Sequence, residues 1–225
     1  MSNGPHQGQR LYTAGKPLAA AKAAMVLVHG RGATAPSILE LSSLLSHPDM
    51  AYLAPQAQGN TWYPYSFLSP IPQNEPGITS GLQAIADVVA QVEAAGIPPG
   101  KIIISGFSQG ACLASEFVAR NPRRYGGLLV FSGGVIGPLG MERNDTGSLE
   151  GTPVFMGCSD IDPHIPLQRF NETADLLTQL SGKITKKIYP GMPHTIIQDE
   201  IDEAMKIVEG VIGRLETRDS SVSSL

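Results

Sequence analysis

Cysteine is scarce in this chain, with Cys112 and Cys158 the only two among 225 residues. Two thiols so far apart offer neither a disulfide framework nor a metal cluster, and the expectation is a pair of buried, unpaired thiols in a reducing compartment. Charge is sparse as well. Asp, Glu, Lys and Arg together make up 16% of the chain, the formal net charge is -4, and no run of lysine and arginine occurs. That excludes the basic footprint of a nucleic-acid binder and of a polybasic membrane anchor. Long apolar runs are missing too. None approaches the ~20 residues that a membrane span requires. The stretch through Gly30 also lacks the basic start and apolar core of a signal peptide. The expected location is the cytoplasm, where the glycosylation patterns at Asn144 and Asn171 carry no meaning.

What remains is an alternating pattern in a chain that is 42% hydrophobic, enough for one sizeable core. Short runs rich in branched apolar residues read as strands: Ala24–His29, Met50–Pro55, Lys101–Phe107, Gly127–Phe131, Thr152–Met156 and Lys183–Tyr189. Between them, apolar residues recur at helical spacing over Ser37–Ser46, Thr79–Ala95, Gln109–Arg120, Leu167–Leu180 and Ile196–Leu215. Strands alternating with helices imply a mostly parallel sheet covered on both faces. No linker or repeat divides the chain, so one domain is expected over 1–216, followed by a loose polar tail at 217–225. Two loops are long, Gln56–Gly77 with its four aromatics and Gly133–Gly151, and neither is large enough to form a cap domain.

One junction stands apart. In "KIIISGFSQGACLASEFVAR" a strand runs into Gly106-Phe107-Ser108-Gln109-Gly110 and then into a helix. A G-x-S-x-G between strand and helix is a nucleophile elbow, in which flanking glycines allow close backbone packing and hold the serine proud of the sheet. Serine needs a base within hydrogen-bond reach, and the base needs an acid to orient it. After such an elbow the chain order is acid, then base. His6, His29 and His47 precede Ser108, and His164 lies in the loop expected to carry the acid. That leaves His194, between the last strand and the last helix. The strand "TPVFMG" leads into "CSDIDPHIPLQRF", which offers Asp160 and Asp162. Asp162 is favoured because Asp-Pro-x-x-Pro closes a loop rigidly before a helix, and Asp160 stays a rival. Oxyanion donors are expected from the backbone N–H groups of Gln109 and of Arg31, in the loop after the "AMVLVHG" strand. Alternating Asp160, Asp162 and His164 also suggests a metal site, but serine chemistry needs none, so neither metal nor cofactor is expected.

The motifs "VLVHGRGA", "WYPYSF", "GFSQGACLA", "FSGG", "DPHIP" and "MPHTI", spread from Ala24 to Ile212, resemble those of the phospholipase/carboxylesterase family of α/β-hydrolases, relatives of the acyl-protein thioesterases. The resemblance implies a capless α/β-hydrolase fold and a Ser108–Asp162–His194 triad. It also implies small or medium acyl esters or thioesters as substrates, an acyl site lined by the loop around Trp62, and frequent homodimers. The chain departs from the pattern in lacking an acidic residue after the "HG" glycines and in carrying a longer acid loop. Three other readings use the same residues. A dienelactone-hydrolase type would need a cysteine at the elbow, a small-ligand binder would not turn its ligand over, and an acyltransferase would deliver the acyl group to another acceptor.

Overall fold

A computed structural model describes residues 4–213. The tail expected over 217–225 lies outside the described residues. Seven strands form one sheet: β1 (Leu11–Gly15), β2 (Ala23–Val28), β3 (Met50–Pro55), β4 (Ile102–Phe107), β5 (Gly127–Phe131), β6 (Pro153–Ser159) and β7 (Lys183–Tyr189). Their order across the sheet is β1-β3-β2-β4-β5-β6-β7. All neighbours run parallel except β1, which pairs antiparallel with β3.

Helices cover both faces, which is why the central strands are continuous apolar runs rather than alternating ones. In β2 all six residues are buried. Ala24, Val26 and Val28 pack toward α3 (Gly77–Ala94), α4 (Gln109–Arg120) and α5 (Leu167–Gln179). Ala23, Met25 and Leu27 pack toward the short helices α1 (Ala35–Ile38) and α2 (Leu41–Leu44) and toward α6 (Gln198–Ile212). This is the α/β-hydrolase fold, and the described residues contain no separate cap.

The structure differs from the sequence reading in several places, among them a sixth strand that runs on to Ser159. β1 was not anticipated: it is a five-residue edge strand, part-exposed along its length, with too little apolar contrast to stand out. The helix read over Ser37–Ser46 is two short pieces. Thr34 caps the first and Pro36 sits in its opening turn. Bonds from Ser42 N–H to the Leu39 carbonyl (2.9 Å) and from Ser43 N–H to the Glu40 carbonyl (3.1 Å) tighten the junction into a 3₁₀ turn. The last helix starts at Gln198 rather than Ile196, because Ile197 is extended.

The topology fixes where a site forms. From β2 the chain steps to β3 on one side, then crosses through α3 to β4 on the other. The carboxyl ends of β2 and β4 therefore meet at a switch in strand order, the usual position of a ligand crevice in such sheets.

One buried charge behind this region sets a pH dependence. Glu200, in the first turn of α6, is fully buried. Its Oε2 accepts from Ile197 N–H at 3.0 Å, while Oε1 has no partner among the described residues. Oε1 presses on Gly157, where a Cβ would lie 2.1 Å away. Burial raises the carboxyl to about 7, against the pull of the Ile197 bond. Between the ordinary glutamate value and about 7, folded Glu200 keeps a proton that the unfolded chain has released. Stability therefore falls as pH rises through this window, by on the order of 3 kcal/mol. Glu200→Gln keeps an acceptor and removes the ionisation. Urea melts at pH 5 and pH 8 should show the variant gaining on wild type by roughly that amount at the higher pH.

Candidate active site

The serine junction lies at the switch in strand order. Ser108 has φ 55 and ψ -121, a positive-φ conformation for a non-glycine residue that costs on the order of 1–3 kcal/mol. Both flanking glycines are required by space. A Cβ on Gly106 would lie 2.4 Å from the Gly110 carbonyl carbon, and one on Gly110 would lie 2.0 Å from the Val28 oxygen. Ser108 N–H donates to the Phe131 carbonyl at 3.0 Å, which ties the turn to β5. Two rigid strands and the start of α4 thus fix the hydroxyl in place.

The loops after β6 and β7 bring two side chains to it. Ser108 Oγ lies 2.8 Å from His194 Nε2, and His194 Nδ1 lies 2.7 Å from Asp162 Oδ2. The Asp162 side chain has no solvent exposure and that of His194 has 18%. Oδ1 of Asp162 accepts from His164 N–H at 2.8 Å and Ile165 N–H at 3.1 Å, so both carboxylate oxygens are engaged. Burial pushes the Asp162 carboxyl up, but the His194 bond and these amides outweigh it and hold the group below its ordinary value. Asp162 is therefore an anion at neutral pH. Phe107 and His164 flank the imidazole, each with a ring centroid 4.9 Å from that of His194. Asp160 does not reach the imidazole. Its Oδ1 accepts from Gly191 N–H at 2.7 Å and so joins the acid loop to the loop that carries His194.

Gly30 and Arg31 follow β2 and face the serine across the crevice, with an ideal Cβ at Gly30 3.5 Å from that of Ser108. Gln109 opens α4, so its N–H has no acceptor within the helix. Neither that N–H nor the Arg31 N–H is taken up by a hydrogen bond among the described residues. Arg31 and Gln109 line the same crevice as Ser108.

The acyl side of the crevice differs from what the resemblance implies. Trp62 does not line it. The ring is completely buried, packed 5.1 Å from both His6 and His29, and Nε1 donates to the His29 carbonyl at 2.9 Å. Trp62 is large and has one polar atom that is satisfied indoors, so it anchors the loop from behind. The loop's later residues, Tyr63 to Phe67, form the wall instead. The Gln109 side chain fastens that wall: Oε1 accepts from Trp62 N–H at 2.9 Å and Nε2 donates to the Tyr63 carbonyl at 2.8 Å. The sequence reading used only the backbone of Gln109. A polar side chain at the start of a buried helix, opposite an aromatic loop, was the available signal.

The crevice holds about 470 Å³ and its lining is mainly apolar. Cys112 forms part of the floor, and burial pushes its thiol up to about 12, so it is no thiolate at neutral pH. Cys158 behaves in the same way for the same reason. Both are unpaired and buried, as expected.

A family model described as phospholipase/carboxylesterase matches residues 14–212. The chain belongs to that family. It is accordingly a serine hydrolase acting on ester bonds. A solved phospholipase/carboxylesterase from Dyadobacter fermentans is 42% identical and superposes with a TM-score of 0.86, covering 92% of this chain and 98% of that one. Acyl-protein thioesterase 1 of Debaryomyces hansenii is 28% identical over 217 residues, 85% of this chain and 92% of the relative. Acyl-protein thioesterase 1 of Saccharomyces cerevisiae is 33% identical over 136 residues, 59% of this chain and 60% of that protein.

Proposed function

We propose that this phospholipase/carboxylesterase family member hydrolyses small and medium-chain acyl esters by two-step acyl transfer, with Ser108, His194 and Asp162 as its triad. The observation that carries this reading is the unbroken chain of bonds from Ser108 Oγ through His194 to Asp162 Oδ2, 2.8 and 2.7 Å long, at the edge of an apolar crevice. Ser108 Oγ attacks the carbonyl carbon while Nε2 of His194 takes its proton. The oxyanion rests on the N–H groups of Gln109 and Arg31, each worth roughly 10²–10³ in rate in comparable sites. The imidazolium then protonates the leaving oxygen and the ester C–O bond breaks, leaving an acyl-serine. Water attacks that acyl group, giving its proton to the same nitrogen, and the tetrahedral species collapses to free acid as Nε2 returns the proton to the departing Ser108 Oγ. Asp162 stays ionised throughout and holds Nδ1–H.

We read the crevice of about 470 Å³ as a site for short and medium acyl chains. A series of p-nitrophenyl esters from acetate to palmitate should give the highest kcat/KM at acyl chains of about four to eight carbons and a steep fall beyond. A profile rising to palmitate would overturn the size assignment. A matched thioester in the same series compares the two leaving groups, since the curated relatives are named thioesterases. We place the enzyme in the cytoplasm, a reading supported by its two unpaired cysteines.

A further inference from the structure

The crevice carries one permanent charge in its lining, and no carboxylate among the described residues pairs with it. Arg31 lines the crevice together with Tyr63–Phe67, and no lining residue is an aspartate or glutamate. The other charged group close by, Asp162, is fully buried behind His194 and bonded to it. Among the described residues, Arg120, Arg123, Arg143 and Arg169 each meet a carboxylate, whereas Arg10 and Arg124, which lie outside the crevice, do not. Arg31 meets none among the described residues. Its guanidinium is held by backbone carbonyls instead: Nη1 donates to Pro64 O at 2.8 Å and Nη2 to Tyr65 O at 2.5 Å, with the Tyr63 ring 5.9 Å away.

This arrangement orients a cation without discharging it. Carbonyl dipoles fix the planar fork in space, and only two of its five N–H groups are used. The remaining donors have no partner among the described residues, and a guanidinium fork matches a carboxylate or phosphate better than an ammonium does. From this we infer that Arg31 selects ester substrates carrying an anionic group remote from the scissile carbonyl. The inference rests on the proposed esterase reading and adds a substrate class to it. Arg31 thus has two separable roles, its backbone N–H toward the oxyanion and its side chain toward the far end of the substrate.

The test compares matched esters that differ only in charge. Mono-4-nitrophenyl adipate and its methyl-capped counterpart place the charge on the acyl side. 4-Acetoxybenzoate and its methyl ester place it on the leaving group. For each pair the anionic-to-neutral ratio of kcat/KM is measured in wild type, Arg31→Gln and Arg31→Lys. In one of the two pairs the ratio should fall about 10-fold in Arg31→Gln and stay within about 3-fold in Arg31→Lys, and that pair identifies the side that Arg31 reads. The wild-type ratio for that pair should also fall as salt screens the charge. Circular dichroism and the thermal midpoint report separately whether a variant is folded. If Arg31→Gln is inert, the Arg31→Lys ratio and the wild-type salt dependence decide. Ratios independent of Arg31 and of salt in both pairs would overturn this inference and leave the esterase reading standing. Turnover of none of the four esters by wild type would overturn both.

Discussion

Ser108→Ala should lower kcat/KM for p-nitrophenyl butyrate by about 10⁴–10⁶ while leaving the fold and KM nearly unchanged. The size follows from removing the group that forms the covalent bond, which leaves only crevice binding and oxyanion donors to act on water. The fold should survive because, among the described residues, the hydroxyl bonds to His194 alone. The strained turn is held by Ser108 N–H on the Phe131 carbonyl and by the close approach of Gly110 to β2, neither of which needs the side chain. Circular dichroism and the thermal midpoint check the fold, and initial rates check the chemistry. A loss under about tenfold would mean that another nucleophile carries the reaction. Cys112, the nearest thiol in the crevice, is a poor candidate at a value near 12.

Asp162→Asn should cost about 10³–10⁴ in kcat, and Asp160→Asn less than about threefold. An amide in place of Asp162 can turn its NH₂ toward Nδ1 and select the tautomer in which Nε2 carries the proton, so His194 can no longer accept one from Ser108. The replacement also removes the buried negative charge that stabilises the imidazolium. Asp160 has a different task. Its Oδ1 takes the Gly191 N–H at 2.7 Å, and an asparagine Oδ1 accepts that bond equally well. The pair of variants thus separates the two carboxylates by chemistry, since both sit in one loop and both touch the His194 loop. Equal losses in the two variants would show that the bonding pattern misassigns the acid.

Much of this site is legible in the amino-acid sequence because the elbow is a steric demand as well as a pattern. Gly106 and Gly110 are glycines since no Cβ fits against α4 and β2, and the strand and helix on either side announce the turn. His194 follows by elimination along the chain. The central strands are equally plain, because burial on both faces makes them apolar throughout. What sequence leaves open is set by contacts between distant segments. The choice between Asp160 and Asp162 depends on a loop fold closed by the amides of His164 and Ile165. Trp62 looks like a substrate contact in an aromatic loop, and only its burial between His6 and His29 reveals an anchor. The course of the Arg31 side chain is set in the same way, by bonds to the Pro64 and Tyr65 carbonyls of a distant loop. β1 is hidden for another reason: an edge strand with one partner needs little apolar character.

The proposed mechanism requires Ser108 to become covalently bonded to the substrate. Its most direct test is to treat the intact protein with a fluorophosphonate, then measure the adduct by mass spectrometry and map it by peptide fragmentation. One adduct per chain is expected, located on Ser108, absent in Ser108→Ala and formed far more slowly in Asp162→Asn. A wild-type protein that turns over esters yet takes up no label, or takes it up at a residue other than Ser108, would contradict the account.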